Sequence, residues 1–179
     1  MYNLRVTAEH LTSWDIVYRL ALATEGKTPR RDVPRGWVPK ILKAEHSPIR
    51  AKQYLIRIEN CPTWVWTHLV RHKIGVEFFV QSQRDDRNEN PVPRAEKPQG
   101  APCNGYIVIN AQALVNISRK RLCNKASKET RQVWIAVRNA IKEIDADMST
   151  AMKPECCYRK FCPEMKPCNY DPYDEDDKS

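Results

Sequence analysis

Arg71-His72-Lys73 places two cations and an imidazole in consecutive positions. Phe78 and Phe79 follow, and then a polar cluster, Gln81-Ser82-Gln83-Arg84. Arginine suits phosphates and planar base edges because its donors form a fixed fork. A lysine neutralises a phosphate as a point charge but makes no bidentate contact. The stretch just ahead, Pro62 to Arg71, must deliver these groups, and it reads as a helix. Pro62 suits the first helical position, where the missing N–H was an orphan anyway. Trp66, Leu69 and Val70 repeat at helical spacing as one apolar face. The helix therefore ends at Arg71 and His72, and an extended segment follows. Cations at a helix C-terminus also complement the macrodipole, so Arg71 alone has two readings.

The 179 residues, 41% of them hydrophobic, suffice for one domain with a real core. No stretch approaches the roughly 20 apolar residues of a membrane span. The chain opens without a signal-peptide pattern, so a cytoplasmic location is expected. The net charge is +8. The last eleven residues carry five acids and one lysine, a net −4, which leaves +12 on the body. A body that basic points to nucleotides, phosphorylated cofactors or nucleic acid, or to a surface that is merely soluble. The seven cysteines are odd in number, and four of them crowd between Cys156 and Cys168. That is no secreted disulfide framework.

The remaining elements follow from pattern. Leu4 and Val6 begin a short alternation. Ser13 caps a helix to Ala23 with Trp14, Val17, Leu20 and Ala21 on one face. Residues 26–39 form a loop rich in Pro and Arg, including Arg30, Arg31 and Arg35. A short helix spans Pro39 to Ala44, and Glu45-His46-Ser47-Pro48 follows. Tyr54 to Ile58 alternates as a strand. Residues 85–102, with Pro91, Pro93, Pro98 and Pro102, form a long irregular connection. Tyr106 to Ile109 is apolar, and Asn110 caps a helix to about Leu122. Ala126 to Met152 reads as one long amphipathic helix with Val133, Val137, Ala140, Ile141, Ile144 and Met148 inward. Thiols at Cys157, Cys162 and Cys168 are donors of the type that zinc takes, or are reduced structural thiols. The expected organisation is a domain over 1–153, a Cys-rich extension over 154–170, and a disordered acidic tail over 171–179.

Three ordered stretches between Ala44 and Arg131 resemble the signature of the flavin-dependent thymidylate synthases. That family ends a helix in Arg-His-Arg and continues with Ser-x-Asn-x-x-Ser-x-Arg. Here the residues are Arg71-His72-Lys73 and, one residue further on, Ser82-Gln83-Arg84. The family places a His, a short polar residue and a Pro before a strand, as His46-Ser47-Pro48 does here. It also shows Asn-x-Arg, Asn, Arg and His-Ala-Gln-x-Glu, which Asn110-Ala-Gln112, Asn116, Arg121 and Lys125-Ala126-Ser127-Lys128-Glu129 follow without a gap. The resemblance implies an α+β domain with helices packed on a mainly antiparallel sheet, in a homotetramer whose active sites draw on several subunits. It implies FAD reduced by NADPH, and transfer of a one-carbon unit from methylenetetrahydrofolate to C5 of dUMP. Arg121 would be catalytic, stabilising charge that develops on the uracil. His68, Arg71, Gln81, Ser82, Gln83, Arg84 and Arg94 would hold the nucleotide. Ser47, Arg71, His72, Lys73, Asn110, Gln112 and Asn116 would contact the flavin.

The departures bear on the substrate. Lys73 stands for Arg, His68 for a Gln that grips the nucleotide, Val76 and Phe78 for Ser and Asn, and Gln112 for Arg. A relative that modifies another pyrimidine nucleotide, or makes a 5-hydroxymethyl product, is the alternative. A third reading, of another class, is a basic zinc-containing nucleic-acid-binding module. Against it, Trp64, Trp66, Phe78 and Phe79 sit in apolar contexts and not interleaved with cations.

Overall fold

The computed structural model describes residues 3–30, 32–87, 92–168 and 170. Arg31, Pro91 and the tail over 171–179 lie outside the described residues. Four strands, β1 (Arg5–His10), β2 (Gln53–Pro62), β3 (Val76–Val80) and β4 (Pro102–Asn110), pair antiparallel in the order β1-β2-β4-β3. Alternation builds the inner face. Tyr54, Ile56 and Ile58 of β2 and Ile107 and Ile109 of β4 are buried, and Arg57 and Tyr106 point outward. The expected strand at Tyr54–Ile58 is longer at both ends. It continues past a register shift between Ile58 and Cys61, where Asn60 takes a left-handed φ of 57°. The architecture is the expected α+β one, with helices on a wholly antiparallel sheet.

The helices are α1 (Trp14–Thr24), α2 (Trp37–Ala44), α3 (Thr63–Leu69), α4 (Ala111–Arg121), α5 (Lys128–Ile144), α6 (Ala146–Ala151) and α7 (Glu155–Arg159). Helix α3 is pinned by Trp66. Its ring lies where a Cβ on Gly105 would approach within 2.8 Å, and its Nε1 donates to Cys103 O at 3.2 Å. Glycine at 105 is thus a condition of this contact. Pro62 is the N-cap of α3 and the last residue of β2, not the first helical residue, because the strand runs directly into the helix. In α1, Leu20 faces out, and Tyr18 and Leu22 are buried with Val17. Ser13 holds the cap position, but its hydroxyl turns to Asp15 instead of the backbone.

The long helix expected over 126–152 is two helices. Asp145, at φ −153° and ψ 86°, ends α5 and caps α6 by accepting from Met148 N at 3.0 Å. Its other oxygen accepts from Trp14 Nε1 and Tyr54 Oη, both at 2.7 Å. The periodicity of the pattern continues through Asp145 because α6 resumes with Met148 buried. Beside it lies Lys52, 1% exposed, whose ammonium donates to Thr12 O and to His10 Nδ1 (2.9 Å). Burial pushes its pKa down to about 8, against the pull of Asp145. Replacing Asp145 with Ala removes a cap and leaves two donors unpaired, Tyr54 Oη fully buried and Trp14 Nε1 half-buried. We expect a loss of about 3 kcal/mol in denaturant unfolding, and a loss below about 1 kcal/mol would contradict this account of the junction.

Candidate functional site

Helix α3 stops at Val70, and His72 N still donates to Leu69 O at 3.1 Å, so Arg71 and His72 emerge from a last tight turn. The chain then reverses at Gly75, whose φ is 73°. A Cβ there would stand 2.5 Å from Asn110 Nδ2. Gly75 O accepts from Asn110 N at 2.9 Å, and Asn110 Oδ1 caps α4 by accepting from Ala113 N at 2.8 Å. The expected cap at Asn110 is therefore present. It also docks the 71–75 loop on the start of α4.

Arg121 closes the other side. Its Nη2 donates to His68 O at 2.7 Å and its Nε donates to His72 Nε2 at 3.1 Å. Burial lowers the pKa of His72, and the Arg121 charge lowers it further, so the imidazole is neutral and can accept that bond. Burial and the nearby Arg71 lower the pKa of Arg121 in turn. Arg71 itself is exposed. His68 is fixed on its ring side as well. Ser127 Oγ donates to Thr130 Oγ1 at 2.7 Å, and the fully buried Thr130 hydroxyl is hydrogen-bonded to His68 Nδ1 at 3.0 Å. The edge of Trp64 meets the imidazole, with ring centroids 5.3 Å apart. Arg121, His68, Arg71 and His72 are thus one basic cluster at the joined ends of α3 and α4.

Asn110, Gln112 and Asn116 line a cleft of about 450 Å³ with Glu45, Arg50, Ile74, Gly75 and Ala113. Ile74 is 87% exposed at its mouth. Behind it Glu45 accepts from Gln112 Nε2 at 2.6 Å and pairs with Arg119. Glu45, Arg50, Ile74, Arg119 and Thr130 were not anticipated from the sequence. The one local signal was position: Glu45 adjoins His46-Ser47-Pro48.

The other expected residues lie elsewhere in this chain. Ser47 opens a 3-10 turn (Ser47–Ala51) and lines a separate depression with Ala21, Thr24 and His46. Lys73 is exposed on the loop after Arg71. Past β3, Gln81 is held by Asn104, and Gln83 Nε2 donates to Cys103 Sγ at 3.4 Å. Ser82 Oγ accepts from Arg84 N at 3.3 Å, and Arg84 grips Asp86 with two bonds of 2.9 Å. Arg94 is exposed in a 3-10 turn, Arg94–Glu96. Among the described residues no group of three or more His, Cys, Asp or Glu could hold a metal ion, so zinc at Cys157, Cys162 and Cys168 has no assembled site. Cys157 faces a cavity with Leu42 and Val115, whereas Cys156, Cys162 and Cys168 face another with Cys123. Adjacent positions on α7 point about 100° apart, which turns the two side chains toward different cavities although their thiols still interact. No helix is long and apolar enough to cross a membrane among the described residues.

No sequence-family profile and no curated protein sequence matches the chain. Solved structures do. Thymidylate synthase X from Helicobacter pylori with FAD and dUMP superposes with a TM-score of 0.68 at 17% identity, covering 84% of this chain and 99% of that one. The fold is that of the flavin-dependent thymidylate synthases. A second structure of the Helicobacter pylori flavin-dependent thymidylate synthase, complexed with FAD and dUMP, gives 0.68 at 16% identity over 83% and 99% of the two chains. The UMP/dUMP methylase PolB from Streptomyces cacaoi, bound with 5-Br dUMP, gives 0.66 at 13% identity over 89% and 96%. At these identities the likeness is one of fold.

The Arg121–His72 contact has a pH signature. The folded imidazole lies below its ordinary value of 6.5, so the contact is complete above pH 6.5 and is lost as pH falls through the lower folded value. We expect NMR titration to give His72 a midpoint below 6.5, and Arg121→Leu to move it upward. A wild-type midpoint at or above 6.5 would contradict the geometry.

Proposed function

We propose that the chain is a flavoenzyme that transfers a one-carbon unit from methylenetetrahydrofolate to C5 of dUMP, with FAD reduced by NADPH, and that it works as a homotetramer. The observation that carries this is the Arg121 cluster: the one Arg that the family resemblance marks as catalytic is the Arg that joins His68 and His72, at the end of the same helix whose first turns line the Asn110–Asn116 cleft. The residues present fit a flavin. Ile74 offers an apolar surface for a ring face, and Gly75 keeps the cleft free of a Cβ. Arg50, Arg71 and Lys73 supply cations for a pyrophosphate, and Asn110, Gln112 and Asn116 supply amides for ring edges.

When bound, the flavin supplies hydride chemistry. The chain supplies position and charge. Arg121 is held by two hydrogen bonds, so its cationic face does not have to reorganise as negative charge develops on a pyrimidine. Neutral His72 accepts from Arg121 and adds no competing charge. The hydrogen-bond chain from Ser127 through Thr130 fixes the His68 ring at Nδ1 and leaves Nε2 for a polar atom of the ligand. Arg71 of this cluster and Lys73, two residues further along the same loop, are both exposed and open to an anionic ligand. The +12 body charge agrees with anionic ligands.

A second reading concerns the substrate. His68 and Phe78 stand where the family has Gln and Asn, and the fold is shared with a UMP/dUMP methylase. These observations favour a related pyrimidine nucleotide, or a 5-hydroxymethyl product, as the alternative.

Mass spectrometry of the product formed anaerobically from dUMP, methylenetetrahydrofolate and NADPH tests the first reading. A product heavier by one methyl group is expected. Arg121→Ala should lower turnover by about two to three orders of magnitude and keep the bound flavin. Near-normal turnover in that variant, or no methylated product from the wild type, would remove the proposal.

A further inference from the structure

Gln112, Asn116 and Arg119 lie at i, i+4 and i+7 on α4 and share a face. Gln112 Nε2 donates to Glu45 Oε2 at 2.6 Å and to Asn116 Oδ1 at 3.3 Å. Arg119 Nη1 donates to Asn116 Oδ1 at 3.3 Å, and Arg119 Nη2 donates to Glu45 Oε1. A carboxylate only accepts and a guanidinium only donates. Turning over either amide would set oxygen against carboxylate, or NH₂ against guanidinium. The charges behind the cleft therefore fix the polarity of both amides. Gln112 commits its nitrogen and is left with its oxygen, and Asn116 commits its oxygen and is left with its nitrogen.

Two further features hold this arrangement. Glu45 sits at φ 50° and ψ 36°, a left-handed conformation that costs about 1 kcal/mol or more for a residue with a Cβ. Strain of that kind persists only where neighbours over-determine it. The second feature comes from the Cys-rich segment. Tyr158 on α7 lies against the pair of Glu45 and Arg119: its ring stacks 4.0 Å from the Arg119 guanidinium, which brings its hydroxyl into the neighbourhood of the Glu45 carboxylate. The carboxyl of Glu45 would be raised by burial, but the bond from Gln112, the nearby Tyr158 hydroxyl and the Arg119 charge bring it below its ordinary value. It stays ionised, as the polarity argument requires.

We propose that the cleft reads an imide edge, N–H beside C=O, through Gln112 Oε1 and Asn116 Nδ2, and that Tyr158 is a positioning residue for this pair. The imide belongs to a flavin or to a uracil base, since both carry N3–H flanked by carbonyls. The proposal rests on the reading of this cleft as a ligand site and gives it a chemical class. It also gives the C-terminal segment a task, the support of the cleft from behind.

The test uses pairs of ligands that differ by a methyl group on N3: lumiflavin against 3-methyl-lumiflavin, and uridine against 3-methyluridine. Affinities are measured by flavin fluorescence and by calorimetry on the full chain. The wild type should prefer the N3–H member of one pair by about tenfold or more. Tyr158→Phe and Glu45→Gln should bring that ratio toward one, with circular dichroism unchanged in Tyr158→Phe. Preference within the flavin pair supports the proposal and the flavoenzyme reading together. Preference within the uridine pair without flavin binding supports imide recognition and overturns the flavoenzyme reading. No preference in either pair, or no binding of any of the four, overturns the proposal, even where FAD itself binds. An undiminished ratio in Tyr158→Phe removes Tyr158 from it.

Discussion

The Arg121 guanidinium caps the end of another helix. His68 O is one of the last carbonyls of α3, which the helix itself cannot satisfy, and Arg121 Nη2 donates to it at 2.7 Å. The positive charge also meets the negative end of that helix dipole. From the same guanidinium Nε reaches His72, so one side chain ties the C-terminus of α4 to the C-terminus of α3 and to the loop beyond. The placement of the α3 end and of His72 depends on this join. Trp66 over Gly105 sets where α3 lies, and Trp134, donating to Ser118 Oγ at 2.9 Å, ties α5 to α4. Asn110 against Gly75 then fixes the loop between the two helix ends.

A second join mirrors the first on the far side of α4. Arg119 and Glu45 pair with side chains only 16% and 17% exposed, so their attraction is weakly screened. A pair this buried stabilises little by itself, because both charges lose water. Its value lies in orientation. The pair turns two neutral amides into a fixed acceptor and a fixed donor. The strained backbone at Glu45 fits that role: local energy is given up so that a carboxylate stands at one place.

Much of this was legible from residue order. Asn110 as a cap, α3 leading into Arg71 and His72, and the antiparallel α+β layout follow from caps, periodicity and alternation, which are local properties. The break at Asp145 was not legible, because its causes are Trp14 and Tyr54, far away in sequence. Glu45 and Arg119 are 74 residues apart, and no periodicity links them. Thr130 fits the amphipathic pattern of its helix, and its contact with His68, 62 residues earlier, leaves no local trace. Spacing along the chain suggested a shared ligand set, but in the fold Cys157 lines one cavity and Cys162 and Cys168 line another.

The central claim is that the cleft at the start of α4 belongs to a flavoenzyme. The most direct measurement is the visible absorption spectrum of the purified chain, recorded with and without added FAD and then after NADPH under anaerobic conditions. The account predicts the bands of a protein-bound flavin, retained through gel filtration and bleached by NADPH. A chain that holds no flavin after reconstitution would contradict it, and the fold would then have been kept without that chemistry.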